Sequence, residues 1–281
     1  MKVLVIGNCQ ARPLGNLIAK YTNHDVLEPV ILHLSKESEA QEHQDRIAQA
    51  DLVLAQATAT EFKPTHLRSD LLRQTDARRV VVWPNVFFVG QHPYLRYLTH
   101  GQFGRVLGPM EATHDMRLVN AWFQSRKGVA FNPHLAEAGY EQRVYDTSIR
   151  ELRGREAHCD VIISDLIETH FETQRLFFTF NHPSLWLLTR LAERVLATVG
   201  EGQAIDPADM KEPLNRFQPP WRFMDESPLQ GLVVDLSTEG KVTLGTPRAY
   251  TQANFEETAF ACYDHLAAQM EVMALRITPA Y

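Results

Sequence analysis

The segment Lys2-Val3-Leu4-Val5-Ile6-Gly7-Asn8-Cys9-Gln10 decides the fold class. Its apolar, largely β-branched run is typical of a short buried strand, and Gly7-Asn8 ends that run. A helical pattern follows, in which Pro13 is tolerated in the first turn and apolar residues from Leu14 to Tyr21 form one stripe. The segment therefore predicts a strand, a tight turn and a helix.

Three further strand patterns follow at Val26 to Leu32, Asp51 to Ala55 and Val80 to Trp83, with helical patterns between them. This alternation predicts an α/β fold, in which an N-terminal parallel sheet has helices on both faces. We assign residues 1–110 to this ligand-binding part, which includes the Gly-Asn-Cys-Gln turn. Residues 111–281 are expected to form a mainly helical part that packs against it in one compact unit.

Several elements are predicted within this second part. The apolar periodicity favours helices, a late hairpin is expected around residue 238, and a Pro-rich segment is expected to wrap the surface. The predicted helices are 116–124, 135–152, 184–199 and 254–276, the hairpin strands are 232–236 and 241–244, and the Pro-rich segment is 206–228.

The amino-acid composition excludes a disordered tail protein, a collagen-like repeat and a coiled coil. The chain has 281 residues, 44% of them hydrophobic and 22% charged, as in ordinary globular proteins. Its formal charge is −6 and it has no basic run, which argues against a nucleic-acid partner. No apolar stretch approaches the roughly 18 residues of a membrane span, and the N-terminus does not resemble a signal peptide. Three irregularly spaced cysteines indicate reduced thiols and no metal site, so we expect a cytoplasmic protein.

Polar residues follow three predicted strands, and ligands bind at the carboxyl ends of strands in such sheets. Cys9 lies at the entrance to the first helix, where the helix dipole is expected to lower the thiol pKa and to favour a nucleophilic thiolate. The turn matches neither a dinucleotide-binding nor a P-loop pattern, yet a helix N-terminus with Arg12 nearby can attract anions. The alternative is that these are ordinary turn residues and that Cys9 packs as a small hydrophobe.

Two histidines precede proline, which holds their backbone extended and fixes where their side chains point. His92 lies in Gly90-Gln91-His92-Pro93, and His182 lies in Thr179-Phe180-Asn181-His182-Pro183. Ser184 is a plausible N-cap for the amphipathic helix that begins after His182. Both histidines are therefore candidates for a general base, with a purely structural role as the alternative.

Three motifs together resemble the WcbI family of polysaccharide-biosynthesis enzymes: Gly7-Asn8-Cys9-Gln10, Pro84-Asn85 leading to Gly90-Gln91-His92-Pro93, and the segment from Phe178 to Ser184. The resemblance spans residues 1 to about 200. It implies a cytosolic enzyme that binds coenzyme A in a cleft beside the Gly-Asn-Cys-Gln turn and acetylates a sugar of a capsular polysaccharide. It also makes association with other polysaccharide-biosynthesis enzymes an expectation.

The leading hypothesis is an O-acetyltransferase that uses acetyl-CoA as co-substrate and a sugar or glycan precursor as acceptor. Cys9 and His182 are the predicted catalytic residues, with His182 as general base and with Asn8, Asn85 and backbone N–H groups stabilising the oxyanion. Cys9 either forms an acyl-enzyme or lines the thioester site. The residues predicted to bind the coenzyme are Gly7, Asn8, Gln10, Arg12, Gln56, Asn85, His92, Asn181 and Ser184.

Two alternatives stay open. A more distant likeness to the SGNH hydrolases suggests a cysteine-dependent esterase or deacetylase, in which His182-Pro183 matches the His-Pro motif of that family. Thr179 stands where those enzymes have an aspartate, so either another acid, such as Asp165 or Glu168, orients His182 or no triad exists. The other alternative is a non-catalytic subunit that binds coenzyme A or a nucleotide.

Overall fold

The computed structural model describes residues 1–74, 79–219 and 228–278, so part of the predicted Pro-rich segment lies outside it. The described residues contain thirteen strands: β1 (Lys2–Gly7), β2 (Asp25–Val26), β3 (Val30–Ile31), β4 (Leu52–Gln56), β5 (Arg79–Trp83), β6 (Leu95–His100), β7 (Gly104–Arg105), β8 (Thr113–Asp115), β9 (Phe177–Thr179), β10 (His182–Pro183), β11 (Leu229–Leu236), β12 (Val242–Tyr250) and β13 (Leu275–Thr278).

The same described ranges contain eight α-helices: α1 (Ala11–Tyr21), α2 (Ala40–Gln49), α3 (Ser69–Leu72), α4 (Met116–Lys127), α5 (Tyr140–Glu156), α6 (Ser164–His170), α7 (Leu185–Thr198) and α8 (Gln252–His265). Short 3₁₀ helices occur at Leu32–Leu34, Glu37–Glu39, Thr65–Leu67, Pro133–Ala136 and Val272–Ala274. Among the described residues, no helix combines the length and apolarity needed to cross a bilayer.

The chain divides into two compact units whose segments interleave along the sequence. The first unit comprises Met1–Phe88, Ile149–Leu176 and His182–Pro213. The second comprises Val89–Ser148, Phe177–Asn181 and Leu214–Tyr281. This division differs from the single boundary after residue 110 that we predict from the sequence.

A parallel sheet forms the centre of the first unit, with strand order β2-β1-β4-β5 and with β3 also paired to β1. Leu4 and Ile6 of β1 pack in a buried cluster that includes Ile47 of α2. On the opposite face, Val5 lies beside Gly15 of α1, and α7 packs against α1. The predicted α/β fold with helices flanking a parallel sheet is confirmed.

One predicted strand of this unit is divided in two. The segment from Val26 to Leu32 forms β2 and β3, and a 3₁₀ helix begins at its end. Pro29 lies between the two strands, and its lack of an N–H group interrupts the hydrogen-bonding ladder. Both short strands nevertheless pair with β1 in parallel register.

The second unit contains an antiparallel sheet in addition to its helices. Strand β6 pairs with β7, β8 and β13, while β11 and β12 form the predicted late hairpin. The predicted closing helix over residues 254–276 is correct only for its first half, because α8 ends at His265 and β13 follows. Helix α8 packs against α4 in the described part of this unit.

Candidate active site

A tight turn joins β1 to α1 in the first unit. Gly7 ends the strand, and a Cβ atom at this position would lie only 2.6 Å from Cζ2 of Trp83. Trp83 is fully buried at the end of β5. Because real Cβ atoms do not approach a ring so closely, the two strand ends can meet in this way only with glycine at position 7.

Asn8 connects the carboxyl ends of three parallel strands through hydrogen bonds. Its backbone N–H donates to Oε1 of Gln56 at 2.9 Å, and its Nδ2 donates to Oδ1 of Asn85 at 3.1 Å. Its own Oδ1 accepts from the backbone N–H of Gln10 at 2.9 Å. The structure therefore brings together side chains that are far apart in the sequence.

Gln10 is fully buried behind this turn. Its Nε2 donates to the carbonyl of Val86 at 2.7 Å, and its Oε1 accepts from Nε2 of Gln56 at 3.2 Å and from the N–H of Val86 at 3.3 Å. Neutral amides thus satisfy one another inside the fold, where an unpaired polar group would be costly. This network holds the backbone around Cys9 in place.

Cys9 is half-buried between Asn8 and Gln10. Burial raises the pKa of its thiol, and a hydrogen bond with its own backbone opposes that shift only in part. The predicted lowering of the Cys9 pKa is therefore wrong, because loss of water around the thiol outweighs the backbone hydrogen bond that favours the thiolate. Cys9 carries a protonated thiol at neutral pH, which becomes a nucleophile only if a base removes its proton.

Arg12 is the second residue of α1, and its guanidinium is exposed. Its Nη2 forms an ion pair with Oε1 of Glu28 at 2.9 Å, and both side chains are more than half exposed. Such a pair is weak and exchanges readily with other anions. Arg12 can therefore turn to a phosphate without losing a buried contact.

His182 and Ser184 lie where α7 begins. Ser184 is buried, and its Oγ accepts a hydrogen bond from the N–H of Leu187 at 3.4 Å, as expected of an N-cap. Half-buried His182 forms β10 together with Pro183. Ser184, which was predicted to bind the coenzyme, thus has its hydroxyl oxygen in the N-cap of α7.

His92 and Asn181 belong to the second unit. The His92 ring is buried, with its Nε2 3.0 Å from the carbonyl oxygen of Phe177. Asn181 donates from Nδ2 to the Tyr97 hydroxyl at 2.7 Å and accepts from Thr179 at 3.0 Å. Both predicted coenzyme-binding residues therefore take part in hydrogen bonds within their own unit.

The sequence profile of a protein family described as polysaccharide biosynthesis enzyme WcbI matches residues 2–203. The chain belongs to the WcbI family. The predicted resemblance to this family is thereby confirmed, and the family description makes the chain a polysaccharide-biosynthesis enzyme. No curated protein sequence gives a significant match.

A solved structure of WcbI, described as a novel polysaccharide biosynthesis enzyme, has the same fold. It was obtained as the native protein without a disulfide bond between coenzyme A and one of its cysteines. The TM-score is 0.67 at 19% sequence identity, and the match covers 97% of this chain and 92% of that one. At this identity the similarity establishes the fold of the WcbI family over nearly the whole chain.

Two acids considered as partners of His182 by analogy with the SGNH hydrolases are bound by arginines in this WcbI-family chain. Asp165 accepts from Arg194 at 2.5 and 2.7 Å, and both oxygens of Glu168 lie 2.7 Å from Nη2 of Arg153. Both carboxylates are therefore engaged in ion pairs with arginine side chains.

Glu212 is a residue that sequence reasoning missed. Its Oε2 accepts from the N–H of Leu185, at the start of α7, at 2.7 Å. Burial raises the pKa of the Glu212 carboxyl, while this hydrogen bond and Arg175 oppose the shift. No pattern around Glu212-Pro213 pointed to this contact, because the glutamate lies 27 residues after the helix terminus that it binds.

Proposed function

We propose that this WcbI-family chain is an O-acetyltransferase that transfers an acetyl group from acetyl-CoA to a hydroxyl of a sugar or polysaccharide precursor. The observation that carries the proposal is the amide network that fixes the Cys9 turn at the carboxyl ends of β1, β4 and β5. This edge is where folds of this class bind ligands. The related WcbI structure, whose description names coenzyme A and a cysteine, supports coenzyme A as the donor.

The turn offers groups that suit a thioester and a phosphate-bearing coenzyme. The Cys9 thiol and the Gly7-Asn8 backbone lie at the strand end, and exposed Arg12 follows in the first turn of α1. The positive end of a helix dipole and a guanidinium both attract phosphate oxygens. These features fit coenzyme A with the thioester near Cys9 and a phosphate near Arg12.

Asn85 is the side chain best placed to stabilise an oxyanion in this proposal. Its Oδ1 accepts from Asn8, which fixes the orientation of the amide and directs its Nδ2 away from that bond. A preoriented N–H donor next to a developing negative charge is the usual means of stabilising a tetrahedral intermediate. Gln10 and Gln56 hold the turn and have a positioning role.

An acyl-enzyme would require Cys9 to attack as a thiolate, but burial raises the pKa of Cys9 and keeps the thiol protonated. Direct transfer from acetyl-CoA to the acceptor is therefore the favoured route. In this reaction His182 takes the proton from the acceptor hydroxyl, whose oxygen attacks the thioester carbonyl. The carbon–sulfur bond breaks, and the coenzyme thiolate then takes up a proton. The products are an acetylated sugar and free coenzyme A.

Calorimetric titration with coenzyme A and with acetyl-CoA tests the donor. A ligand that binds only the folded protein at a hundred times its Kd stabilises it by about 2.7 kcal/mol, so the melting temperature should rise as well. Absence of both heat and shift would rule out this donor. Dephospho-coenzyme A serves as a control for recognition of the phosphate.

Intact-protein mass spectrometry with acetyl-CoA, without a sugar, tests the chemical step. Direct transfer predicts no added acetyl group on the wild type and slow consumption of acetyl-CoA. An acetyl adduct absent from Cys9→Ser would establish an acyl-enzyme instead. Rapid hydrolysis without a sugar would indicate an esterase, and binding without turnover on any glycan would indicate a binding subunit.

A further inference from the structure

A cavity in the first unit lies at the carboxyl ends of β4 and β5. Its volume is about 680 Å³, within the range of small-molecule sites. The loop after β4, the helix α3, Asn85 and the last turn of α5 form its walls. Nothing established for the chain assigns a ligand to this cavity.

The hydroxyl groups on one wall are held by reciprocal hydrogen bonds. The N–H of Thr58 donates to Oγ of Ser69 at 3.1 Å, the N–H of Ser69 donates to Oγ1 of Thr58 at 3.0 Å, and the two hydroxyls lie 3.3 Å apart. Each side chain is therefore fixed before a ligand arrives, which reduces the entropy lost on binding.

Of the three charged side chains that line the cavity, Asp70 and Arg73 form ion pairs and Arg155 donates to a backbone carbonyl. Arg73 donates to Asp160 at 2.7 Å, and Asp70 is bound by Arg68 at 3.1 and 2.5 Å. Arg155 donates to the carbonyl of Phe87 at 2.7 Å and lies over the ring of that residue. The walls therefore present hydroxyl groups, the amide of Asn85 and the imidazole of His158, while each charged side chain already has a protein partner, which suits a neutral polyol better than a phosphate.

Asn85 joins this cavity to the Cys9 turn. The residue lines the cavity, and its Oδ1 accepts from Nδ2 of Asn8, the neighbour of Cys9. A ligand hydroxyl in the cavity thus lies one side chain away from the turn at which we place the thioester. We infer that the cavity is the acceptor subsite and holds one neutral sugar ring, an inference that rests on the proposed acetyl transfer.

Gly154 of α5 offers a way to fill the cavity without disturbing the fold. It is exposed and lines the cavity, and among the described residues a Cβ atom added to it would meet nothing within 4 Å beyond its own helix backbone and chain neighbours. Replacing a helical glycine also removes an unfavourable conformational entropy term. Gly154→Phe should raise the KM for a sugar acceptor by about tenfold or more, as expected when uniform binding is lost.

The matched control is Arg153→Phe, which places the same ring at the neighbouring exposed position of α5 and breaks only a surface ion pair with Glu168. The acceptors are the methyl α-pyranosides of glucose, galactose and mannose, with acetyl-CoA as donor. Gly154→Phe should show the raised KM for these sugars while binding coenzyme A with wild-type affinity by calorimetry. Equal KM values for Gly154→Phe and Arg153→Phe would overturn the inference.

Alkylation of Gly154→Cys by iodoacetamide reports occupancy of the cavity without any turnover. Methyl glycosides at ten times their Kd should slow modification of this cysteine about tenfold, whereas coenzyme A should not, and Arg153→Cys should respond to neither. Protection by coenzyme A alone, or by neither ligand, would overturn the inference. Sugar protection in a protein that fails to bind coenzyme A by calorimetry would keep the sugar site and refute the proposed transferase.

Discussion

Two His-Pro dipeptides in this chain have different surroundings. His92 in the second unit is 4% exposed, and its Nε2 lies 3.0 Å from the carbonyl oxygen of Phe177. His182 in the first unit is half-buried and precedes a helix capped by Ser184. Proline restricts the backbone of both histidines in the same way, so only the surroundings of each ring distinguish a structural role from a chemical one.

The largest effect is expected when the two histidines are compared by mutation. His182→Ala should lower kcat for acetyl transfer by roughly 10²–10⁴-fold, the usual contribution of a general base, with little change in melting temperature. His92→Ala should instead destabilise the protein by about 2–4 kcal/mol, because it opens a cavity and leaves a buried carbonyl without this partner. Steady-state kinetics and thermal unfolding measure the two effects.

His182→Gln is the control for packing, since it keeps a polar side chain but cannot act as a base. If the general-base role is correct, this variant should be as inactive as His182→Ala. Full activity in a folded His182→Ala protein, with loss of activity in a folded His92→Ala protein, would reverse the assignment of the two roles.

The main strands and helices of the first unit were predictable from sequence because each has its own local pattern of apolar residues. Strands β1, β4 and β5 each appear as a short apolar run, and the helical patterns between them indicate that the strands are parallel. The cap at Ser184 was also readable from its position before an apolar stripe. The raised pKa of Cys9 was not, because burial of the turn depends on how strands and loops close around it.

The sheet of the second unit was not predictable from the same patterns. Strand β6 pairs with β13, whose residues follow about 180 positions later, as Leu275 opposite His100 shows. In β6 the sequence Leu95 to His100 mixes apolar, basic and aromatic residues without regular alternation. Its strand conformation therefore depends on partners that are distant along the chain, and tertiary context outweighs local propensity.

A buried histidine in the second unit should make stability depend on pH. His114 has Nδ1 2.8 Å from the Tyr263 hydroxyl and Nε2 2.8 Å from the carbonyl oxygen of Val106. The neutral ring satisfies both contacts, with Nε2 donating to the carbonyl and Nδ1 accepting from the tyrosine. Burial lowers the pKa of His114 to about 4.

Because the folded pKa of His114 lies below the unfolded value of about 6.5, the unfolded chain binds the extra proton first as the pH falls. The stability contributed by the neutral ring is fully present above about pH 6.5 and should be lost between there and pH 4, by about 3 kcal/mol. Urea unfolding of the wild type and of His114→Gln across this range measures the loss. A parallel pH dependence in both proteins would exclude His114 as its source.

Two buried glutamines offer the next comparison. Gln10 ties the Cys9 turn to Val86, whereas Gln91 in the second unit accepts a hydrogen bond from the N–H of Phe177 at 3.0 Å. Truncating either to alanine should destabilise the protein by about 2 kcal/mol, because buried polar partners are left unsatisfied. Calorimetry should show weaker coenzyme A binding for Gln10→Ala alone. Equal losses of affinity in both variants would mean that the Gln10 network has no special relation to the coenzyme.

The smallest effect on stability is expected from two exposed arginines. Arg12 pairs with Glu28, while Arg117 pairs with Asp115 and lies over the ring of Tyr94 at 4.5 Å. Arg12→Gln should change the unfolding free energy by less than about 0.5 kcal/mol, since its ion pair is exposed on both sides.

If Arg12 binds a coenzyme phosphate, the same variant should weaken coenzyme A binding about tenfold and flatten the salt dependence of the Kd, because a charge-assisted contact is lost. Arg117→Gln is the matched control and should leave both the Kd and its salt dependence unchanged. A Kd for Arg12→Gln equal to that of the wild type at low salt would remove Arg12 from the coenzyme site and leave the helix terminus of α1 as the only anion-attracting feature assigned to the turn.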